Sequence, residues 1–168
     1  MTETLSPALP DDIEALVHAV LRAARDRDRT LATAESCTGG LLASLLTDVE
    51  GAGHVFERGF VCYSEDAKCE LLGIARERID SCGAVSREVA VAMAKGAILR
   101  SHADIALAIT GFAGAGGPGD EEGLVHLACA LRGGATTHRE AHFGAIGRGA
   151  IRIASLRAAL EMMRDAIG

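Results

Sequence analysis

The segment ADIALAITG, residues 103–111, is apolar almost throughout and constrains the fold more than any other stretch. A short run of this kind, bounded by a histidine before it and a glycine after it, reads as a strand buried in a sheet. What surrounds it decides the class. PDDIEALVHAVLRAARDRD (10–28) is an amphipathic helix, with Pro10 near its start and Ile13, Leu16, Val17, Val20 and Leu21 at helical spacing. TLATAES (30–36) is a short strand, and TGGLLASLLTDV (38–49) a helix whose entrance carries Thr38, Gly39 and Gly40. HVFERGFVCYS (54–64) reads as a second strand, and SEDAKCELLG (64–73) as a helix with Ser64 as N-cap and Gly73 as stop. SREVAVAMAKGAILRSH (86–102) is a helix begun by a serine with a glutamate close behind. After the apolar strand and a glycine-rich loop (FAGAGGPGDEE, 112–122), GLVHLACAL and ATTHREAHF form an antiparallel hairpin around RGG. RGAIRIASLRAALEMMRDAI (148–167) closes the chain as a helix. The order is helix–strand–helix–strand–helix–helix–strand–strand–strand–helix. It predicts an α/β fold, a three-layer α/β/α sandwich with a mixed, mostly parallel sheet.

At 168 residues the chain is of single-domain size, with residues 1–9 expected as a loose leader and 10–168 as one domain. It has no Trp, one Tyr and four Phe, so the core must come from Ala, Leu, Val and Ile, with small residues allowing close helix–sheet contacts. The net charge of −6 offers no footprint for a nucleic-acid backbone. A small anionic ligand remains compatible, because backbone N–H groups at a helix start hold anions whatever the global charge. Five cysteines (37, 62, 69, 82, 129) are odd in number and lack a CxxC pair, which argues against a disulfide framework or structural zinc and for buried thiols in a reducing cytoplasm. No signal peptide is visible, and no apolar run approaches the roughly 20 residues of a membrane span. The expectation is a cytoplasmic protein with no membrane or nucleic-acid partner. The Ala-rich helices fit burial within one chain or between two, as in a homodimer.

Three segments hold residues suited to chemistry. Ser36 ends a strand and precedes a helix, at the carboxyl edge where open α/β sheets place ligands. Free N–H groups at the next helix would favour a developing negative charge there, and Gly39 and Gly40 would let a ligand approach. The plainer reading is that Ser36 or Thr38 caps the helix. No G-x-S-x-G elbow is present, and no histidine stands in a base or metal motif: His18 and His102 lie on helices, His54 in a turn, and His126, His138 and His142 on the hairpin. The alternative base is Lys68 in YSEDAK, five residues beyond Tyr63; a desolvated lysine beside a hydroxyl loses its proton and serves as general base, though an exposed helical lysine is the plainer reading. The loop after Thr110 and Gly111 has phosphate-cradling composition, but it is neither a Walker A loop nor a dinucleotide fingerprint.

Four separated segments, TAESCTGG (33–40), FERGFVCYSEDAK (56–68), GAVS (83–86) and AITGFAG (108–114), resemble in this order the CinA C-terminal domain family, also known as nicotinamide mononucleotide deamidase of the PncC type. The resemblance runs from about residue 10 to the C-terminus. It implies a three-layer sandwich and an amidohydrolase that removes ammonia from the carboxamide of nicotinamide mononucleotide, with no metal or other cofactor. By the same resemblance Ser36 would attack the amide carbon, Lys68 would accept its proton, and Tyr63 would support the relay. Thr110 would help to bind substrate or oxyanion. N–H groups around Cys37, Thr38, Gly39 and Gly40 are the natural oxyanion donors, with Gly111 and Arg148 beside the substrate. Glu65 stands where the family usually has Asn, GPGDEEG (117–123) replaces a longer loop with a lysine, and FGAIGR (143–148) lacks an Asp, while Arg148 and Arg152 keep the R-x-x-I-R spacing. These departures bear on the phosphate side. Rival readings are a binding module without turnover and an amidase for a less anionic amide.

Overall fold

The computed structural model describes residues 9–168. Its elements are α1 (Asp11–Asp26), β1 (Leu31–Glu35), α2 (Leu41–Thr47), β2 (Phe56–Val61), α3 (Glu65–Leu72), α4 (Arg76–Cys82), α5 (Arg87–Leu99), β3 (Ile105–Gly111), β4 (Leu124–Leu131), β5 (Thr136–His142) and α6 (Arg148–Ile167). The five-stranded sheet has the order β2-β1-β3-β4-β5. β1 is parallel to β2 and β3, while β4 is antiparallel to both β3 and β5, so it alone is reversed. The fold class expected from sequence is the one observed. Residues 1–8 of the expected leader lie outside the described residues, and Leu9 packs against the core.

Alternation within the strands builds the layers. In β3, Ile105, Leu107 and Ile109 join the core shared with α1, α2 and α6, whereas Ala106 and Ala108 join the core shared with α3, α4 and α5. β1 and β4 repeat this, with Leu31, Val125, Leu127 and Cys129 on the first face and Ala32, Ala34, Ala128 and Ala130 on the second. A small-residue face lets α5, carrying Ala90, Ala94 and Ala97, sit close to the sheet. At Gly96 the approach of α3 is closer still, since a Cβ there would collide with the Leu72 carbonyl. Small residues thus let α5 pack against the sheet on one side and closely against α3 on the other.

Ser64 and Ser86 accept hydrogen bonds from Ala67 N and Val89 N as N-caps, and Gly73 ends α3 at φ 69°, as expected. The hairpin turns at Gly133, with Leu131 N donating to Ala135 O. One element was not anticipated. Helix α4 has seven residues, a single buried side chain (Ile79) and no side-chain cap, so it carries neither an apolar period nor a start signal. Of the cysteines expected to be buried, Cys37, Cys62 and Cys129 are; Cys69 is half-buried, and Cys82, at the end of α4, is exposed. No helix among the described residues is long and apolar enough to cross a membrane.

Candidate active site

β1 is flanked on both sides by parallel strands, with Glu35 in register with Val61 of β2 and Ile109 of β3. Its carboxyl end therefore opens where three strand ends meet. Ser36 N donates to Ile109 O at 3.0 Å, and Cys62 N donates to Glu35 O at 2.8 Å, so the start of the turn is fixed from both neighbours. The chain then reverses tightly: Gly39 N donates to Ser36 O, and Gly39 and Gly40 lie at φ 60° and 93°. Two successive left-handed residues require glycine, and a Cβ on Gly40 would also press within 3.2 Å of Val61 Cγ2. From α6, Arg152 Nη2 donates to Thr38 O at 2.8 Å and holds the far side of the turn.

Neither Ser36 nor Thr38 caps α2. The helix starts at Gly40 without a side-chain cap from the turn. Instead Glu35 reaches forward from the strand, and its carboxylate accepts from Leu42 N at 3.0 Å and Ala43 N at 2.8 Å. A five-atom side chain reaches the second and third helical N–H groups from the strand side, where the shorter Thr38 hydroxyl does not. Thr38 Oγ1 is buried without a partner among the described residues, as is Arg152 Nε. Those are correctable debts only if a ligand or water meets them.

With the cap supplied elsewhere, Ser36 is free for another partner. Lys68, one turn into α3, extends inward until only 2% of it is exposed, and its Nζ lies 2.9 Å from Ser36 Oγ and 3.0 Å from Cys62 O. The solvated-surface reading of Lys68 is thus overturned: Ser64 starts α3 so that this lysine faces the sheet. Desolvation holds the amine's pKa below the usual lysine range, opposed only in part by the Cys62, Cys37 and Cys69 thiols and the Glu65 carboxylate. No carboxylate lies within ion-pairing distance of Lys68 among the described residues. The neighbouring thiol is no rival nucleophile, because burial pushes Cys37 up to about 11.

The remaining candidates divide. Tyr63 is 65% exposed at the mouth of the site, and its hydroxyl accepts from Arg148 Nη2 at 3.3 Å; it makes no hydrogen bond to Ser36 or Lys68. Arg148, the first residue of α6, also faces Gly114 of the glycine-rich loop. Thr110 is buried, and its hydroxyl donates to Ala84 O at 2.8 Å, which ties the GAVS segment to the end of β3. Gly111 is a packing glycine, because a Cβ would lie 2.7 Å from Val125 Cγ2. In the loop, Asp120 turns back to accept from Gly117 N at 2.7 Å, and Glu121 pairs with His142 Nδ1 at 2.7 Å. His126 and His138 stack on each other across the hairpin, Nδ1 to Nε2 at 3.0 Å, and no histidine hydrogen-bonds Ser36. Among the described residues no three His, Cys, Asp or Glu side chains are placed to share a metal ion.

Sequence reasoning passed over Glu35. The signal available was a buried-strand acid followed, six to eight residues on, by a helix start lacking its own polar cap. Arg152 was read only as part of a spacing, and its grip on Thr38 O is a tertiary contact across 114 residues.

Comparison with known proteins places the chain in a family. A family profile described as the CinA C-terminal domain matches residues 13–167. A CinA-like protein of Akkermansia muciniphila is 50% identical over 124 residues, which is 73% of this chain and 30% of that protein. The chain thus spans about three-tenths of the length of such a curated relative. Among solved structures, the competence/damage inducible protein CihA from Agrobacterium tumefaciens superposes with a TM-score of 0.91 at 44% identity, covering 99% of each chain. A competence-damaged protein (CinA) superfamily protein from Escherichia coli gives 0.86 at 35% identity, covering 93% of this chain and 92% of that one.

Proposed function

The chain belongs to the CinA C-terminal domain family, and from that premise and the geometry of its site we propose that it is an amidohydrolase acting on nicotinamide mononucleotide by a Ser36–Lys68 mechanism. One observation carries the reading: a lysine amine almost wholly removed from water, 2.9 Å from a strand-end serine and without an ion-pair partner among the described residues. An amine in that setting is readily neutral, and a neutral amine is a base. As the ammonium, Lys68 donates to both Ser36 Oγ and Cys62 O; once neutral it keeps the bond to Cys62 O and its lone pair can take the Ser36 proton.

The chemistry then runs in two halves. Ser36 Oγ attacks the carboxamide carbon while its proton passes to Lys68 Nζ. The resulting oxyanion meets N–H groups of the turn; those of Thr38 and Gly40 have no acceptor among the described residues, that of Cys37 lies against its own thiol, and Gly39 N is bound to Ser36 O. Such donors matter because an amide is a poor electrophile, and loss of one costs on the order of 10²–10³ in rate. The tetrahedral species collapses as Lys68 returns the proton to the departing nitrogen, so ammonia leaves and an ester to Ser36 remains. Water, deprotonated by the same amine, cleaves that ester and releases the carboxylate product.

The phosphate end of the substrate is assigned to Arg148, with Arg152 behind it. Two of the three acids of the shortened loop are engaged elsewhere, Asp120 on Gly117 N and Glu121 on His142. Tyr63, bonded to Arg148 at the mouth, is suited to hold that arginine and flank the substrate ring. The test is ammonia release from nicotinamide mononucleotide. Ser36→Ala and Lys68→Ala should each lower it by roughly 10³-fold or more. Activity unaffected by both substitutions would remove the mechanism.

A further inference from the structure

We propose that Glu35 is a positioning residue for the nucleophile: by clamping the start of α2 from the strand side it leaves the Ser36 hydroxyl to Lys68 and the turn N–H groups to the oxyanion. The inference rests on the amidohydrolase reading above and extends it to a residue outside the reacting set.

Glu35 is a charged side chain at 0% exposure in a strand flanked by β2 and β1's other neighbour β3. A buried carboxylate is costly unless its oxygens are satisfied, and here each oxygen takes one backbone N–H of α2. The placement answers a conflict within TAESCTGG. A helix start needs an oxygen acceptor, and the ordinary donors of that oxygen are Ser, Thr, Asp or Asn within the turn itself. Ser36 and Thr38 are the two such residues between β1 and Gly40. If Ser36 filled that role, its hydroxyl would face Leu42 and Ala43 rather than Lys68. Because Glu35 reaches Leu42 N and Ala43 N from below, Ser36 Oγ stays at 2.9 Å from Nζ. Two anchors complete the frame, Ile109 O on Ser36 N and Arg152 on Thr38 O. Remove the carboxylate, and the freed N–H groups of α2 compete with Lys68 for the nucleophile.

The experiment uses the full chain and Glu35→Gln, which keeps the shape. Its amide offers one acceptor oxygen, and its NH2 meets the other N–H as a second donor. Three quantities are read: labelling of Ser36 by an alkyl fluorophosphonate followed by mass spectrometry, kcat and KM for nicotinamide mononucleotide, and backbone amide exchange over residues 36–44. Labelling and kcat should both fall about 10²-fold, the loss that a misplacement of about 1 Å produces, while KM stays within about threefold and exchange rises at Leu42 and Ala43. Raised exchange with labelling and kcat within twofold of wild type would make Glu35 a cap only and overturn the proposal. If Glu35→Gln does not fold by circular dichroism, Glu35→Asp, which keeps the charge but shortens the reach, serves instead; wild-type labelling in that variant would equally overturn it. Wild-type labelling at Ser36 without ammonia release would sink the nicotinamide substrate yet leave the Glu35 comparison decisive. A wild-type Ser36 that resists labelling would sink both.

Discussion

Two glycine-bearing segments leave the same edge of the sheet, the turn at 36–40 after β1 and the loop at 112–123 after β3, and they are secured in opposite ways. The first is pinned mainly by buried groups, Glu35 under α2, Ile109 O on Ser36 N and Lys68 on Ser36, together with the half-buried Arg152 on Thr38 O. The second closes on itself at Phe112–Gly123 and is held outward by surface charges, Asp120 on Gly117 and Glu121 on His142. Buried bonds fix atoms to fractions of an ångström, whereas exposed ion pairs contribute little and yield to salt. The difference fits the proposed function, in which the turn carries the chemistry and the loop selects the substrate. The two also respond to pH in opposite senses. Burial depresses the Lys68 pKa, so under the proposed mechanism acid should protonate the base and silence the turn. His142 is raised by its two carboxylate partners, Glu121 and Glu140, so its tie to the loop is present in acid and is lost as pH rises through that raised value.

The largest effect that would break this contrast lies in the turn. Lys68→Arg keeps a cation and length but cannot give up its proton, so kcat/KM should fall roughly 10³-fold. In the wild type, log kcat/KM should climb with unit slope as pH rises through the lowered Lys68 pKa and then level. Stability should move the same way. Between the folded pKa and the unfolded value near 10.5 the unfolded chain binds the extra proton, so the fold strengthens as pH rises through that window. Lys68→Met should flatten that slope in thermal melts. An arginine variant with a tenth or more of wild-type activity would mean that Lys68 orients Ser36 without accepting its proton.

A smaller effect tests the mouth. On the proposed function Arg148→Ala would remove a charge-assisted contact to phosphate, and such contacts are worth about 1.5–3 kcal/mol, so KM for nicotinamide mononucleotide should rise about 10- to 10²-fold. The riboside, which lacks the phosphate, should be indifferent to the change. Equal losses on both substrates would move Arg148 from phosphate binding to holding Tyr63.

How much of this was legible in the sequence follows from the range of each interaction. β3 declared itself, because alternating Ile/Leu and Ala read as apolar on both faces, and Ser64, Ser86 and Gly73 act on their own helices within three or four residues. Ser36 and Lys68 were each candidates from the residues, but their pairing rested on the resemblance, since they are 32 residues apart and spacing does not say that α3 turns its lysine inward. Helix α4 was illegible because one buried isoleucine makes no pattern. Glu35 was misjudged by omission and Thr38 by an ordinary rule: short polar residues at helix starts usually cap, and a longer acid in the strand displaced them here. The cost of that arrangement is the orphaned Thr38 hydroxyl, a local rule broken where the proposed mechanism would need the neighbouring serine free.

The smallest expected effect sharpens the comparison most, because it asks whether the loop's charge reaches the substrate at all. Asp120→Asn removes one negative charge while an amide oxygen can still accept from Gly117 N, so loop geometry is kept and electrostatics alone changes. For an exposed charge about 10 Å from a phosphate, Coulomb's law in water gives about 0.4 kcal/mol before screening. The KM for nicotinamide mononucleotide should therefore drop by less than about twofold, and 0.5 M salt should erase even that. A tenfold drop would place Asp120 against the phosphate in the bound state, which requires the carboxylate to leave Gly117. The loop would then be a discriminating element that disfavours anionic substrates, and the turn alone would not account for what this site accepts.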